Sequence, residues 1–554
     1  MKTTLLSILI LLFFTQCKTH KSVINPQNKT VNYSIDRPNL VIGIVVDQMR
    51  YDYLIRFYNK YGDGGFKRLM KDGYNCENAH CNFIPTYTAV GHTSIYTGAT
   101  PSIHGIISNN WYDKYINESI NCVSDKRYKT LGAESGGEVS PYRIQSTTIS
   151  DQLKLAQINK GKVISISLKD RSAALSVGQS ANAAYWFKGK NDAAFISSTF
   201  YMDELPKWVK DFNASGLVKS RLKVWNTLYP IDSYTESIED DNEFEITFDG
   251  EASPTFPHNF PKLAALNGNY DLLKFSPAGN TIVVDFAKAA INAENLGHNK
   301  VTDFLAISFS STDVVGHQYG SDSKEIEDTY LRLDKDLADF FNFLDAKVGE
   351  GNYTLFLTAD HAVAPVPNYL KSLKINAGNF DRKSFLKQLN KVVFDNFKSK
   401  KIVLNFSNYQ VFLDKNEIKK QGLDYDSVVN VICDEMLLFD GVYKTVSAKT
   451  LQNTNFTTGV LHALQNGYNQ KISGDVMIIP KPGTILRHYP KGTTHGSGYS
   501  YDTHVPLLLY GKGIKKGNTK HYIPVIDIAP TLSNLLKIEN PNGCEGQIIE
   551  DALE

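Results

Sequence analysis

The chain has 554 residues, of which 42% are hydrophobic, and a formal net charge of +1 at pH 7. This length allows several average domains or one large α/β domain with insertions. The near-neutral charge excludes an electrostatic surface for nucleic acid or an anionic membrane, so we expect no nucleic-acid partner. An enzyme that binds small anions needs positive charge only locally, so that class stays open.

The N-terminus is typical of an export signal. A short apolar run over residues 5–14 cannot span a bilayer and fits the central region of a secretory signal. We assign residues 1–17 to this signal and the polar residues 18–37 to a tether. Cys17 directly follows the run, so lipid attachment at Cys17 and simple cleavage nearby are both open. Either route predicts an exported protein, periplasmic or lipid-anchored at the cell surface, without a transmembrane segment.

The cysteines do not indicate a disulfide-rich scaffold. There are six, at Cys17, Cys76, Cys81, Cys122, Cys433 and Cys544. If Cys17 is removed or lipidated, an odd number remains, so at least one thiol has no partner within the chain. Export permits a disulfide, and Cys76 with Cys81 or with Cys122 are the candidate pairs. No two cysteines have CxxC spacing, which argues against a cysteine-based zinc site.

Strand-like and helix-like patterns alternate along much of the chain. Continuous apolar runs, typical of strands buried on both faces of a sheet, cover residues 40–46, 163–168, 304–309, 354–357 and 505–510. Between them, the clearest helical pattern runs from about 323 to 344, with apolar residues every three or four positions. Strands alternating with helices predict an α/β fold, a doubly wound sheet with helices on both faces.

Two stretches fit this alternation poorly. Residues from about 185 to 275 are rich in Tyr, Trp, Asn and Asp, and residues from about 370 to 485 mix short strands with helices. We interpret both as insertions into a catalytic domain that covers residues 38–554. We expect them to form lids beside the active site, and peripheral decoration is the alternative.

Acidic and histidine residues follow several of the predicted strands. They are Asp47, Asp313, His317, Asp360 and His361, joined by His495 on a Gly-rich segment. Sheets of this class bind ligands at the carboxyl ends of their strands. Three carboxylates and three imidazoles suffice for two metal ions with three protein ligands each. Such donors, without thiolate, suit zinc, and manganese and iron are the chemical alternatives.

A threonine is the candidate nucleophile. Residues 85–94 predict a loop that turns into a helix, with Thr88 at the turn. Unpaired N–H groups at a helix start favour a phosphoryl oxygen there. A metal ion can convert a threonine hydroxyl into an alkoxide nucleophile. The alternative is that Thr88 only caps the helix.

These features resemble the alkaline phosphatase superfamily. The elements occur in the same order, as Asp47 at a strand end, Thr88 in Thr-x-x-Gly-His-x-Ser, Asp313-x-x-x-His317, Asp360-His361 and His495. The resemblance implies two Zn²⁺ ions per chain, one held by Asp313, His317 and His495 and the other by Asp47, Asp360 and His361. It also implies that Thr88 is the nucleophile and is bound to the second ion.

The motifs favour one branch of the superfamily. The segment 81–85 does not supply the Cys/Ser-x-Pro-x-Arg motif of sulfatases, and Thr88 stands where phosphoglycerate mutases have serine. Nucleotide pyrophosphatase/phosphodiesterases use threonine and the same six ligands, so they remain the alternative. An inactive binding protein of the same fold is disfavoured, because the ligand set is intact.

Cationic residues favour a monoester substrate. Lys169 and Arg171 follow a predicted strand, and such donors suit the extra charged oxygen of a phosphate monoester. Asn109 is placed to donate an amide hydrogen bond to another phosphate oxygen. Asn110 is the alternative for that role, and a solvated charged turn is the alternative for the Lys169 segment.

The set of Asn109, Lys169 and Arg171 resembles the phosphate-insensitive monoesterases of the PafA type. This resemblance implies broad hydrolysis of small phosphorylated substrates, namely sugar phosphates, nucleotides and aryl phosphates, through a phosphothreonine at Thr88. We therefore expect a zinc-dependent alkaline phosphatase, present as a monomer. The alternative is a phosphodiesterase or nucleotide pyrophosphatase on the same metal scaffold.

Overall fold

The computed structural model describes residues 36–486 and 491–554. The signal assigned to residues 1–17, including Cys17, and nearly all of the tether lie outside the described residues. Within the described part, no helix is long and apolar enough to cross a membrane. The five cysteines there are all free thiols, so neither expected disulfide pair is formed. Cys76, Cys81 and Cys122 pack instead as small apolar residues in the main hydrophobic core.

The regular elements of the described residues are numbered in chain order. The strands are β1 Leu40–Val46, β2 Tyr74–Cys76, β3 Ala79–His80, β4 Asn110–Asp113, β5 Glu118–Asn121, β6 Thr130–Leu131, β7 Val163–Ser167, β8 Ala183–Lys188, β9 Ala194–Ser198, β10 Asp303–Phe309, β11 Tyr353–Thr358, β12 Gly378–Asn379, β13 Val403–Ser407, β14 Gln410–Leu413, β15 Val442–Ser447, β16 Val476–Pro480, β17 Thr484–Ile485, β18 His504–Val505, β19 Leu507–Gly511, β20 Gly517–Thr519 and β21 Ile523–Pro524. The α-helices are α1 Asp52–Arg56, α2 Phe66–Asp72, α3 Thr88–Thr97, α4 Pro101–His104, α5 Ile149–Ala156, α6 Asp170–Val177, α7 Lys207–Ala214, α8 Leu217–Ser220, α9 Phe260–Leu263, α10 Pro277–Glu294, α11 Ser311–Tyr319, α12 Lys324–Leu344, α13 Pro367–Ser372, α14 Arg382–Phe397, α15 Lys415–Lys420, α16 Tyr425–Leu437, α17 Ala448–Asn453, α18 Gly459–Gly467, α19 Ser500–Thr503 and α20 Ile528–Leu536.

A large sheet organises the described residues, with the strand order β20-β2-β19-β11-β1-β10-β7-β8-β9-β6. The central strands β11, β1, β10, β7 and β8 are parallel. Every residue of β1 and β10 is buried, which explains their continuous apolar sequences. Strand β19 joins β11 in the antiparallel direction, so the sheet is mixed. The predicted α/β class is confirmed.

The register of the central strands aligns their carboxyl ends. Val46 of β1 lies opposite Phe309 of β10, and Ser308 of β10 lies opposite Ser167 of β7. On the other side, Val45 pairs with Thr358 of β11. The residues that follow these four strands therefore meet at one edge of the sheet, as is usual for ligand sites in this fold class.

The long helix predicted near residues 323–344 is α12. The Ser323 side chain accepts a hydrogen bond from the Ile326 N–H at 3.1 Å, which satisfies one of the unpaired donors at the helix start. The helix packs on α10, α11 and α2, so its apolar stripe supports the short helix α11 that follows β10.

The first expected insertion begins inside the sheet, because residues 185–198 lie in β8 and β9. The remainder, residues 199–275, contains no described strand. It contacts the segments that carry two predicted ligands, since the Ile246 N–H donates to the Gln318 carbonyl at 3.0 Å and the Gly492 N–H donates to the Phe244 carbonyl at 2.7 Å. Its role as a lid stays a prediction.

The second expected insertion, residues 370–485, has a sheet and a core of its own. Its sheet has the strand order β13-β14-β16-β15, and its core, which includes Phe385, Val411 and Ile432, is separate from the main core. It is joined to the segment around Thr88, because the Asn466 Nδ2 donates to the Asn82 carbonyl at 2.7 Å. The segment therefore braces the main sheet domain, and its lid role remains a prediction.

A buried histidine fastens the first of these segments to α12. His258 is fully buried, with Nδ1 2.8 Å from Glu251 Oε1 and Nε2 3.2 Å from Glu325 Oε1. Burial alone would lower the pKa of His258, but hydrogen bonds to the two glutamates outweigh burial and raise this pKa to about 9. The histidine is therefore charged in the folded protein at neutral pH.

We expect His258 to make stability depend on alkaline pH. Its pKa in the folded state lies above the unfolded value of about 6.5, so its contribution is complete below that pH and is lost as pH rises through 9. The unfolding free energies of wild type and His258→Gln should therefore differ by about 3 kcal/mol more at pH ~6 than at pH ~10. Denaturant unfolding measures this, with the exposed His521→Gln as control. A difference that does not change with pH would contradict the prediction.

Candidate functional site

Three carboxylates converge at the aligned strand ends. Asp47 and Asp360 are fully buried, and Asp313 is 4% exposed. Lys169, which follows β7, places its Nζ 2.6 Å from Asp47 Oδ2 and 2.6 Å from Asp313 Oδ2. A single ammonium group faces three buried carboxylates, so the site keeps an excess of negative charge that attracts cations.

The titration of these groups reflects their crowding. Burial, together with the charges of Asp313 and Asp360, raises the pKa of Asp47 well above its usual range, and Lys169 only partly opposes this. Burial would also raise the pKa of Asp313, but the charges of His317 and Lys169 hold it well below its usual value. The Lys169 pKa is raised, because the charges of Asp313 and Asp47 outweigh burial. Lys169 therefore stays an ammonium group.

Three imidazoles complete the cluster. His361 places Nε2 3.6 Å from Asp47 Oδ1 and 3.6 Å from Asp360 Oδ2. The Nε2 atoms of His317 and His495 lie 3.1 Å and 3.5 Å from Asp313 Oδ1. Burial, opposed by Asp360 and reinforced by His495, lowers the pKa of His361 to about 3, so this imidazole is neutral and able to bind a metal.

Each imidazole is oriented through its other ring nitrogen. The Nδ1 atoms of His361, His495 and His317 lie 3.0 Å, 2.6 Å and 2.8 Å from the backbone carbonyls of Ala362, Thr86 and Thr493. A carbonyl only accepts hydrogen bonds, so Nδ1 donates and Nε2 is the ring nitrogen that faces the carboxylates. Metal-binding histidines in proteins are commonly fixed in this way.

The cluster contains two groups with the dimensions of metal sites. The ligand atoms of Asp47, Asp360 and His361 lie within 4.8 Å of one another, and so do those of Asp313, His361 and His495. Three buried atoms, Asp47 Oδ1, Asp360 Oδ2 and His361 Nε2, have no hydrogen-bond partner among the described residues, as expected of atoms that bind a cation. Carboxylate and imidazole donors without thiolate fit zinc.

The grouping differs in one respect from the expected partition. His361 lies between the two groups and is close enough to belong to both. His317, expected beside Asp313 and His495, contacts Asp313 at the rim of the site, where its side chain is 31% exposed. All six predicted ligands are nevertheless brought together.

The candidate nucleophile begins a helix at this site. Thr88 is the first residue of α3, follows an extended Tyr87 and is 1% exposed. Tyr87 occupies the cap position and its side chain makes no capping hydrogen bond, so Thr88 is the first helical residue and does not serve as the N-cap. The start of a helix leaves backbone N–H groups without intrahelical partners, which favours an anionic ligand beside Thr88.

His92 lies between the candidate nucleophile Thr88 and the predicted metal ligand Asp360. The sequence alone did not predict this position. Its Nδ1 lies 2.9 Å from the Thr88 carbonyl and 3.2 Å from Asp360 Oδ2. The neighbouring Gly91 permits this approach, because a Cβ atom there would lie 2.1 Å from the Asp360 carbonyl oxygen. The one available signal was spacing, since His92 lies about one helical turn after Thr88.

Asn109 also contacts helix α3, which begins at Thr88. Its Oδ1 accepts a hydrogen bond from the Ala89 N–H at 2.8 Å, which fixes the amide plane. Asn110 is exposed, and its Oδ1 accepts from Asn121 on the neighbouring strand at 3.1 Å. The structure therefore brings Asn109, rather than Asn110, to the start of α3.

The Lys169 segment lies at the site and is largely buried. The side chains of Lys169 and Arg171 are 10% and 25% exposed. Arg171 lies in the first turn of α6, which packs on α3. Its buried Nε has no hydrogen-bond partner among the described residues, so the guanidinium retains donor capacity.

Comparisons with known proteins agree with this geometry. A family model described as type I phosphodiesterase / nucleotide pyrophosphatase matches residues 41–504. Alkaline phosphatase PhoV of Synechococcus elongatus is 45% identical and covers 100% of both chains. A Myroides odoratus protein named calcium-transporting ATPase is 45% identical and covers 94% of this chain and 95% of its own.

A solved structure is similar over most of the chain. Alkaline phosphatase PafA of Elizabethkingia meningoseptica is 43% identical and covers 94% of this chain and 95% of its own. The PafA crystal structure matches with a TM-score of 0.90 over 94% of this chain and 100% of that chain. A PafA variant with a threonine, an asparagine, a lysine and an arginine substituted also matches with a TM-score of 0.90.

Removing metal should destabilise the protein, because repulsion among Asp47, Asp313 and Asp360 is then opposed only by protein groups such as Lys169. We expect zinc added to chelator-treated protein, at about 100 times its Kd, to stabilise the fold by about 3 kcal/mol. Thermal unfolding with and without zinc measures the effect, which Asp360→Asn should reduce. The exposed Asp63→Asn is the control. Equal melting temperatures with and without zinc would count against a metal site.

Proposed function

We propose that this chain, which belongs to the type I phosphodiesterase / nucleotide pyrophosphatase family, is a zinc-dependent alkaline phosphatase that acts through a phosphothreonine. It is a phosphoric monoester hydrolase, the class to which relatives 43% and 45% identical are assigned by their names. The name of the third relative, an ATPase, also implies phosphate release from a phosphorylated substrate. We propose sugar phosphates, nucleotides and aryl phosphates as substrates.

One observation carries the proposal. The segment around the buried Thr88 contacts both candidate metal groups. His92 Nδ1 lies near the Thr88 carbonyl and near Asp360 Oδ2, and His495 donates to the carbonyl of Thr86, two residues before Thr88. Asp47, Asp360 and His361 would hold one Zn²⁺ ion, and Asp313, His317 and His495 the other. When bound, the ions would stabilise negative charge on the attacking and leaving oxygens.

The chemistry would proceed in two displacements at phosphorus. Thr88 Oγ1 gives up its proton to solvent and forms a bond to phosphorus while the bond to the leaving oxygen breaks, and that oxygen takes up a proton from solvent. Water then loses a proton to solvent and attacks the phosphothreonine, the bond between Thr88 Oγ1 and phosphorus breaks, Oγ1 takes up a proton, and inorganic phosphate leaves. The hydrogen bond from His92 to the Thr88 carbonyl holds the helix start in place through both steps.

The remaining polar residues would bind the phosphoryl oxygens. Asn109 has its amide plane fixed by Ala89 and can donate through Nδ2. Lys169 and Arg171 supply positive charge, and the guanidinium can engage two oxygens at once. A monoester has one more charged oxygen on its transferring group than a diester, so these cations favour monoesters over diesters.

We further propose that the protein is exported and acts as a monomer. The apolar run at residues 5–14 supports export, and Cys17 supports lipid anchoring as one of its two forms. A periplasmic or cell-surface location would expose the enzyme to small phosphate esters outside the cytoplasm.

Thr88→Ala should abolish the covalent step. We expect kcat for an aryl phosphate to fall by at least about 1,000-fold, equivalent to about 4 kcal/mol of activation free energy, with metal content unchanged. Acid quenching and mass spectrometry should find phosphate on Thr88 in wild type only. Thr97→Ala, in the same helix, is the control, because its hydroxyl bonds only backbone groups, the Thr93 carbonyl and the Ala99 N–H. Full turnover by Thr88→Ala with metal bound would exclude this nucleophile.

The choice between monoesterase and diesterase is tested by paired substrates. We expect kcat/KM of wild type to favour an aryl phosphate monoester over the matching diester by several orders of magnitude. Arg171→Ala should lower the monoester value by about 100- to 1,000-fold and the diester value much less, because only the monoester presents the extra charged oxygen.

Two controls sharpen this comparison. Arg171→Lys keeps the charge without the two-pronged donor and should fall between wild type and Arg171→Ala. Arg127→Ala removes an exposed arginine that pairs with Asp125 and should match wild type. A diester preference in wild type would move the chain to the phosphodiesterase alternative, and equal losses on both substrates would assign Arg171 a structural role.

A further inference from the structure

Gln48 adopts a backbone conformation that is costly for a residue with a side chain. Its φ angle is 69°, in the left-handed region, and the residue is 2% exposed. Such a conformation costs about 1–3 kcal/mol and persists only where the surroundings hold the residue firmly. The hydrogen bonds of Gln48 therefore show which groups this conformation holds in place.

The left-handed turn directs two donors of Gln48 to two different carboxylates. The backbone N–H donates to Asp360 Oδ1 at 3.2 Å, and the side-chain Nε2 donates to Asp313 Oδ1 at 2.6 Å. Asp360 belongs to one candidate metal group and Asp313 to the other. Gln48 is thus hydrogen-bonded to both groups and directly follows Asp47.

The surroundings are shaped to fit the side chain. Gly316 lies between Asp313 and His317 on α11, and a Cβ atom there would come within 1.9 Å of Gln48 Oε1. On the other side, the Thr312 hydroxyl donates to the Asp47 carbonyl at 2.6 Å and holds the peptide that precedes Gln48. Helix α11 therefore closes over the glutamine while carrying two of the predicted ligands.

We infer that Gln48 is a positioning residue that fixes Asp313 relative to Asp360 and so links the two metal sites. The inference rests on the proposed function, because it takes both groups as metal sites. An amide suits this position, since it donates a hydrogen bond without adding charge to a site crowded with carboxylates. Groups that orient metal ligands in this way typically contribute about 10- to 100-fold to metal affinity.

Replacing Gln48 with glycine tests its two contacts separately. Gln48→Gly keeps the backbone donor to Asp360 and removes the left-handed strain, but it loses the side-chain donor to Asp313. We expect the ion at the Asp313 group to bind about 10- to 100-fold more weakly, while the ion at the Asp47 and Asp360 group keeps its affinity. Two ions that bind alike in wild type should then bind in two separate steps.

The experiment is a zinc titration of the chelator-treated full chain. A competing fluorescent chelator sets free zinc, and mass spectrometry under native conditions counts the ions at each concentration. Gln48→Asn is a second variant, because asparagine tolerates the left-handed backbone but is too short to reach Asp313. Lys398→Gly is the control, since Lys398 has a φ angle of 52° at the exposed end of α14, in the second inserted segment.

Selective weakening of one ion in both Gln48 variants, with wild-type behaviour in Lys398→Gly, supports the inference. Unchanged binding of both ions in Gln48→Gly, or equal weakening of both, overturns it and leaves the proposed function intact. Wild type that binds fewer than two ions would overturn the proposed function and this inference together.

Discussion

Repulsion among Asp47, Asp313 and Asp360 is the constraint on which the site depends. The three carboxylates are buried at one sheet edge and share one ammonium group, that of Lys169. Buried charges of like sign are stable only if partners hold them. The protein supplies such partners from several directions, and the same arrangement that offsets the repulsion produces a site with high affinity for cations.

Each partner is positioned by a different element of the fold. Parallel pairing of the central strands aligns the carboxylates, because residues after neighbouring parallel strands emerge at the same edge. His92 of helix α3 contacts Asp360 at this edge, and Gly316 of α11 packs against Gln48 there. The second inserted segment then holds the loop before Thr88, through a hydrogen bond from Asn466. The candidate nucleophile Thr88, the cationic Lys169 and Arg171, and the candidate metal ligands are thus held by connected elements of one fold.

Much of this could be predicted from sequence, because local pattern determines it. Strands β1 and β10 are largely apolar since both of their faces are buried, and α12 has a regular apolar stripe. Acidic and histidine residues directly after such strands indicate a site, as Asp47 and Asp360 do. These residues also occur in the same order along the chain as the motifs of the alkaline phosphatase superfamily. That order distinguishes the set from a chance combination of Asp and His residues.

Other features depend on contacts that the sequence does not display. The left-handed backbone of Gln48 follows from its contacts with Asp313 and Asp360, since glutamine has no preference for that conformation. The position of His361 between two ligand groups also reflects tertiary packing. Strands β8 and β9 are flanked by polar residues. For this reason residues 185–198 were predicted to belong to an insertion, although they contain strands of the main sheet. The free cysteines likewise reflect burial at separate places in the core.

The distribution of the site along the chain has a consequence for folding. Asp47 precedes nearly every other element, whereas His495 comes after the second inserted segment and shortly before α19. Contacts between such distant segments close large loops and form slowly, because their entropic cost precedes any gain. A chain that has not yet brought these distant segments together therefore lacks a complete ligand set. Catalytic competence thus reports completed folding of the whole polypeptide.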